Sequence, residues 1–127
     1  MELTPDHLML GVDTLDHNHL EFIDLQRILA ASDTAALPSA FETLYYHTKA
    51  NFAEEEALME KSGFAGLSEH RSEHEKLLGE MHYFLQKVQR GRSVFAKAYI
   101  QEYLPEKFYR HIINIDSQLA AYLKQHR

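Results

Sequence analysis

The chain has 127 residues, a formal net charge of −6 and no cysteine, which excludes disulfide bonds and thiolate metal sites. Its lysines and arginines are scattered, and no apolar run reaches the roughly 18 residues that cross a bilayer, so neither nucleic acid nor a membrane is expected as a partner. The first ten residues also lack the features of a secretory signal. We expect one domain, residues 1–127, in a soluble, cytoplasmic protein.

The spacing of the apolar residues predicts four helices joined by short loops. Their expected spans are 15–29, 38–61, 67–90 and a last one from about residue 93 onward. Asp13 or Asp16 is expected to cap the first helix. Ser39 and Glu42 form a capping box for the second helix, and Gly91 ends the third. Short connections of this kind predict an all-α fold, an up-down-up-down four-helix bundle.

The fourth helix contains two features that a regular α-helix does not accommodate. Pro105 should bend it or interrupt one of its hydrogen bonds. His111 and Asp116 are five positions apart, which leaves their side chains roughly 140° apart on an ideal helix. If both hold the same metal, the helix must end, tighten or bulge between residues 112 and 115.

Candidate metal ligands occur on every predicted helix of this chain, which has nine histidines. His70 and His74 are four residues apart, so their rings lie on one helix face and can converge on one metal. Such a pair alone is a modest signal, because isolated motifs often have no metal. Glu55 on the second helix would be costly to bury unless it were paired or metal-bound. The first helix adds His19 as a candidate ligand, and the fourth adds His111 and Asp116.

Four stretches of the chain resemble the bacterial hemerythrin pattern in order and spacing. They are Gly11-Val12-x-x-Leu15-Asp16-x-Asn18-His19, Phe52-x-x-Glu55-Glu56-x-Leu58-Met59, His70-x-x-x-His74 and His111-Ile112-x-x-x-Asp116. The resemblance covers nearly the whole chain, and it implies a four-helix bundle that contains non-heme iron. It further implies a pair of irons, bridged by one glutamate, one aspartate and an oxo or hydroxo group.

The resemblance also assigns individual ligands by position. They are His70, His74 and His111 on one iron, Glu55 and Asp116 as bridges, and His19 on the second iron. The family's fifth histidine directly precedes Phe52, and this chain has Asn51 there. Phe108 matches an apolar position that lines the family's dioxygen pocket. Thr4 and Lys107 stand where the family has tryptophan, which concerns the pocket rather than the fold.

Asn51 therefore falls at the iron that should bind dioxygen. An amide oxygen is a weaker donor for iron than an imidazole nitrogen, so metal affinity at that position should fall. Three outcomes are open: ligation by Asn51 itself, a water molecule in its place, or loss of the second iron. His47, one turn earlier, could coordinate only if the site were distorted or shifted; otherwise it would touch the ligands from outside, line a channel or lie at the surface. The remaining histidines are expected to be exposed or hydrogen-bonded; they are His7, His17, His82 and His126.

The resemblance implies a protein that binds dioxygen reversibly, as in oxygen transport, and not an enzyme. Asn51 motivates an alternative, an iron-binding or redox- or gas-sensing protein with an altered or single-iron site, impaired oxygen binding and weak peroxide or oxidase chemistry. A third interpretation is a helical interaction protein with a vestigial site. Dioxygen is the expected partner, and we favour a monomer.

Overall fold

The computed structural model describes residues 3–5 and 8–126, so His7 lies outside the described residues. Three long helices come first: α1 is Asp13–Ala31, α2 is Leu37–Ser62 and α3 is Leu67–Gln89. The last helix, α4, extends over 94–125 and widens into a π-helical turn at two places. Its α-helical parts are Val94–Ala98, Leu104–His111 and Ser117–Gln125, and its two π-helical turns are Tyr99–Tyr103 and Ile112–Asp116. The described residues contain no strand, which confirms the all-α four-helix bundle.

The core consists of two apolar clusters with buried polar residues between them. The larger cluster includes Phe22, Phe52 and Phe108, and the smaller one includes Leu15 and Met59. Most of the buried polar residues lie close to the boundary between the two clusters. They are Asn18, His19, Glu55, His70, His74, His111 and Asp116; Gln26 and Thr48 are also buried, but along α1 and α2 they stand next to residues of the larger cluster only. Burial of so many ionisable groups at one level of a bundle requires pairing or a metal.

The predicted helix caps were wrong at the starts of α1 and α2. Val12 stands at the N-cap of α1 without a side-chain hydrogen bond. The carboxylate of Asp16 instead accepts from the backbone N–H groups of Leu10 and Gly11, at 2.7 and 3.0 Å, and so fixes the preceding loop. Asp16 therefore holds the loop in front of α1 instead of capping the helix.

The capping box at Ser39 and Glu42 does not form. Helix α2 begins at Leu37, so Ser39 already lies inside its first turn. The N-terminal end is held by Asp33, whose Oδ1 accepts from the N–H of Ala36 at 2.8 Å. Ala36 is itself the N-cap residue and has no side-chain cap, so Asp33 fixes the turn that leads into the helix.

Pro105 interrupts the hydrogen bonding of α4, as predicted. The π-helical turn Tyr99–Tyr103 ends two residues before it. In that register the carbonyl of Ile100 would need a donor five residues later, where proline has no N–H. The side chain of Gln26 supplies the missing bond, because its Nε2 donates to the carbonyl of Ile100 at 3.1 Å. Among the described helices, none combines the length and apolar character needed to cross a membrane.

Candidate metal centre

The second π-helical turn, Ile112–Asp116, brings the two candidate ligands of α4 together. Hydrogen bonds from residue i to i+5 widen the turn, so residues five apart come close to one face. Oδ1 of Asp116 consequently lies 3.1 Å from Nε2 of His111. The bulge expected from the sequence spacing is therefore present at the predicted position.

Five side chains from three helices converge at this level of the bundle. Each offers one ligand atom, and these atoms all lie within 4.8 Å of one another. They belong to Glu55, His70, His74, His111 and Asp116. All five side chains are buried, so water does not compensate their polar atoms.

The contacts inside this cluster are close without being hydrogen bonds. Nε2 of His70 lies 2.9 Å from Oδ1 of Asp116, and Nε2 of His74 lies 3.4 Å from Oε1 of Glu55. Among the described residues, these ring nitrogens have no hydrogen-bond partner. Donor atoms that aim at a common point rather than at each other are arranged as metal ligands are. Imidazole and carboxylate without thiolate suit iron, so the residues present fit this metal.

Glu56 holds the ring of His74 in place from outside the cluster. Its Oε2 accepts from Nδ1 of His74 at 2.9 Å, and its Oε1 accepts from Nε of Arg71 at 3.1 Å. Phe52 stacks on the same ring at 3.7 Å between centroids. With Nδ1 engaged in this way, Nε2 of His74 keeps its lone pair toward the cluster. Glu56 belongs to the family pattern, but its contact with His74 was not predicted from the sequence, because His74 and Arg71 lie on another helix.

His19 approaches Asp116 from the side opposite to the three-histidine cluster, which consists of His70, His74 and His111. Its Nδ1 donates to the carbonyl of Leu8 at 3.2 Å, and its Nε2 lies 2.7 Å from Oδ2 of Asp116. A lone pair on Nε2 would face a carboxylate oxygen, so a proton or another cation must lie between them. Burial works to lower the pKa of His19, but the hydrogen bond and charge of Asp116 outweigh it, and the pKa is raised.

Asp116 has histidines on both of its oxygens, which is the arrangement of a bridging carboxylate. Oδ1 faces His70 and His111, and Oδ2 faces His19. Burial of Asp116 favours its neutral form, but the charge of His111 and the close approach of His111, His19 and His70 hold its pKa well below the usual value of 3.8. The carboxylate is thus ionised and ready to hold a cation.

Asn51 does not join the cluster. It is half-buried, and its Nδ2 donates to Oε1 of Glu21 on α1 at 3.0 Å. Nδ2 of Asn18 instead reaches Oε2 of Glu55 at 3.0 Å. His47 is exposed and its Nδ1 donates to the same Glu21 oxygen at 2.9 Å, so it touches neither Glu55 nor the other clustered ligands. The sequence placed His47 and Asn51 on one face, but nothing in it identified Glu21 or Asn18 as their partners.

Apolar rings cover the His19 side of the centre. Phe108 stacks on Phe22 at 3.5 Å and meets the ring of His19 edge-on at 6.2 Å. Lys107, next to it in sequence, is exposed and pairs with Glu80 of α3. Phe108 therefore stands where a pocket-lining residue was expected, whereas Lys107 faces outward.

The chain is similar to proteins named bacteriohemerythrin in three bacterial genera. The protein of Ralstonia nicotianae is 32% identical over 118 residues, which are 93% of this chain and 85% of the relative. That of Stenotrophomonas maltophilia is 26% identical over 125 residues, 95% of this chain and 80% of the relative. That of Pseudomonas paraeruginosa is 26% identical over 116 residues, 88% of this chain and 74% of the relative. No family model matches the chain, and no solved structure does.

Proposed function

The chain belongs to the bacteriohemerythrin family, and on this premise we propose that it binds dioxygen at a carboxylate-bridged, non-heme di-iron centre. One observation supports the proposal most strongly: five buried donor atoms lie within 4.8 Å of one another without bonding among themselves as donors and acceptors would. Leaving such a cluster unfilled would carry the full cost of burying carboxylates and imidazoles without partners.

The proposed ligands divide between two positions. The rings of His70, His74 and His111 would hold one iron, the carboxylates of Glu55 and Asp116 would serve both positions, and His19 would hold the second iron. Iron, when bound, supplies the electrons and the open coordination position that dioxygen requires. The protein's part is to keep the rings in place, which the Leu8 carbonyl does for His19 and Glu56 does for His74.

The rings beside His19 would exclude water from the dioxygen position. Phe22, Phe52 and Phe108 are buried and lie in one cluster, and the ring of Phe108 touches that of His19. Apolar walls would keep water, a ready source of protons, away from the second iron position, and a proton would promote loss of dioxygen as a reduced product. Reversible binding of dioxygen depends on the exclusion of water from this position.

A second candidate function is favoured by the contacts of Asn51. Its amide donates to Glu21 on α1, and Nδ2 of Asn18 donates to Oε2 of Glu55. The second position then has only His19 and two shared carboxylates. Such a protein would hold one iron firmly and would serve in iron retention or in redox or gas sensing, with poor reversible oxygen binding.

Metal analysis combined with oxygen titration separates the two functions. Anaerobically reconstituted ferrous protein is analysed for iron per chain and then cycled between dioxygen and argon. Two irons and an optical change that reverses under argon are expected for the di-iron oxygen carrier. One iron and an irreversible change would support the second function, and iron that does not bind at all would contradict both.

A further inference from the structure

A second group of metal-binding side chains lies outside the buried cluster, where α1 and α2 meet the surface. Nδ1 of His47 lies 2.9 Å from Oε1 of Glu21. Nε2 of His17, one turn before Glu21 on α1, lies 4.0 Å from Oε2 of the same carboxylate. Both oxygens of Glu21 thus have a histidine nearby, and neither histidine belongs to the buried cluster.

We propose that His17, Glu21 and His47 form an outer site for a divalent transition-metal ion, which receives the ion before it moves to the buried cluster. Ligand atoms that share one such ion at about 2.0–2.2 Å lie roughly 3–3.5 Å apart. The contact between His47 and Glu21 already has this spacing. Nε2 of His17 lies farther away, 4.0 Å from the other oxygen of Glu21, and must turn toward the ion, which rotation of a side chain that is 74% exposed allows.

The chemistry of the outer site suits a metal of the iron, cobalt or zinc type. Two imidazoles and one carboxylate are the ligands that these ions share in proteins. His17 and Glu21 are four residues apart on one helix, so they present their donors to the same side.

Polar contacts continue from the outer site to the buried cluster. Asn51 donates to Glu21 through its side chain, and its backbone carbonyl accepts from Nδ2 of Asn18 at 3.4 Å. The same Nδ2 reaches Oε2 of Glu55 at 3.0 Å. Oδ1 of Asn18 is buried and has no hydrogen-bond partner among the described residues, so an oxygen donor stands free between the two sites. Two asparagines therefore connect a surface carboxylate to a proposed iron ligand.

Asn51 lies on this connection, and its side chain determines how tightly an ion is held there. A histidine at 51 would bind iron tightly, whereas an amide that turns outward to Glu21 binds weakly and can release an ion inward. This chain lacks the family's fifth imidazole at position 51, and it has two imidazoles farther out, at positions 17 and 47.

Zinc binding to the iron-loaded protein tests whether the outer site exists. Zn²⁺ is titrated calorimetrically, and iron is measured in the same sample to verify that the buried centre stays filled. We expect one Zn²⁺ per chain beyond the iron, with an affinity at least tenfold lower in His47→Gln and in His17→Ala. The matched control is His82→Ala, because His82 is also exposed but lies on α3, and it should bind zinc as the unaltered protein does.

Histidine side-chain NMR identifies the ligands independently of affinity. Zn²⁺ should shift the ring signals of His17 and His47 together and leave those of His82 and His126 in place. The outer site is refuted if iron-loaded protein takes up no further zinc, or if His47→Gln and His17→Ala bind it unchanged.

The uptake role has its own test. The rate at which Fe²⁺ enters the metal-free full-length chain should fall several-fold in His47→Gln, while the final iron content stays the same. His82→Ala should load at the unaltered rate. Equal loading rates for His47→Gln and the unaltered chain would overturn the uptake role, and a lower final iron content would show that His47 belongs to the buried centre instead.

Discussion

Oδ2 of Asp116 lies 2.7 Å from Nε2 of His19, although the two residues are 97 positions apart in the sequence. The other oxygen of Asp116 faces the three-histidine cluster, so this one carboxylate joins α1 to α3 and to its own helix. Because Nδ1 of His19 already donates to Leu8, the space between Nε2 and Oδ2 must hold a cation. In metal-free protein that cation is a proton, and we propose that iron replaces it.

Replacement of Asn51 by histidine should strengthen the second iron position. Asn51→His adds an imidazole nitrogen one turn before Glu55 and removes the bond to Glu21. We expect the iron content to rise toward two per chain and oxidation of the oxygenated protein to slow at least tenfold. Metal analysis and optical spectroscopy provide the measurement; Ala50→His, at an exposed neighbouring position, is the control. Unchanged iron content and oxidation rate in Asn51→His would refute the assignment of position 51.

Removal of the charge on Glu56 should weaken iron binding without removing a ligand. Glu56 accepts from Nδ1 of His74 at 2.9 Å, and loss of such an outer partner typically costs about 10–100-fold in metal affinity. We expect a decrease of this size in Glu56→Gln, measured by competition with a chelator. Glu54→Gln, which alters an exposed carboxylate two residues earlier, should bind iron normally. Equal affinities for the two variants would mean that Glu56 does not support the metal.

The stability of metal-free protein should depend on pH through His19. The pKa of His19 is raised in the folded state, so its pairing with Asp116 stabilises the fold fully below the unfolded pKa near 6.5 and progressively less as pH rises through the folded pKa. Asp116 has the opposite sign: its pKa is lowered, so its contribution is complete above 3.8 and is lost as pH falls further.

Urea unfolding of metal-free protein between pH 4 and 8 measures this pH dependence. The difference in free energy of unfolding between the unaltered chain and His19→Gln should be greatest between about pH 4 and 6.5 and should shrink at higher pH. A difference that grows above pH 7 would contradict the proposed proton between His19 and Asp116.

Truncation of Phe108 should expose the His19 side of the centre to water. Phe108→Ala removes a ring that stacks on Phe22 at 3.5 Å, and such a loss costs about 3–5 kcal/mol in free energy of unfolding. We also expect faster oxidation of the oxygenated protein. Phe108→Leu should recover most of the stability and keep the slow oxidation, since it remains apolar. Oxidation at the unaltered rate in Phe108→Ala would show that this ring does not shield the site.

The sequence predicted those features that depend on spacing along one helix. If His111 and Asp116 hold the same metal, their separation required the helix to end, tighten or bulge, and a π-helical turn is present there. Pro105 required a broken hydrogen bond, and the register changes just before it. The caps at Asp16 and Ser39 were predicted wrongly. The backbone N–H groups that a side chain can reach depend on the conformation of the neighbouring loops, which the sequence pattern does not determine.

The sequence did not predict which side chains from different helices contact each other. Asn18 and Glu56 stand next to predicted ligands, but their partners come from another helix. Position 51 was identified as unusual by comparison with the family pattern, whereas its bond to Glu21 depends on how α1 packs against α2. Periodicity determines which face of a helix is buried, but it does not determine which side chain of the next helix stands opposite.

Anomalous X-ray scattering at the iron absorption edge, from crystals of the reconstituted ferrous protein, tests the central claim most directly. We predict a strong peak about 2.0–2.3 Å from ligand atoms of His70, His74 and His111, bounded by Glu55 and Asp116, and a second peak of lower occupancy beside His19. A buried cluster without an iron peak, in crystals of protein that analysis shows to contain iron, would contradict the account.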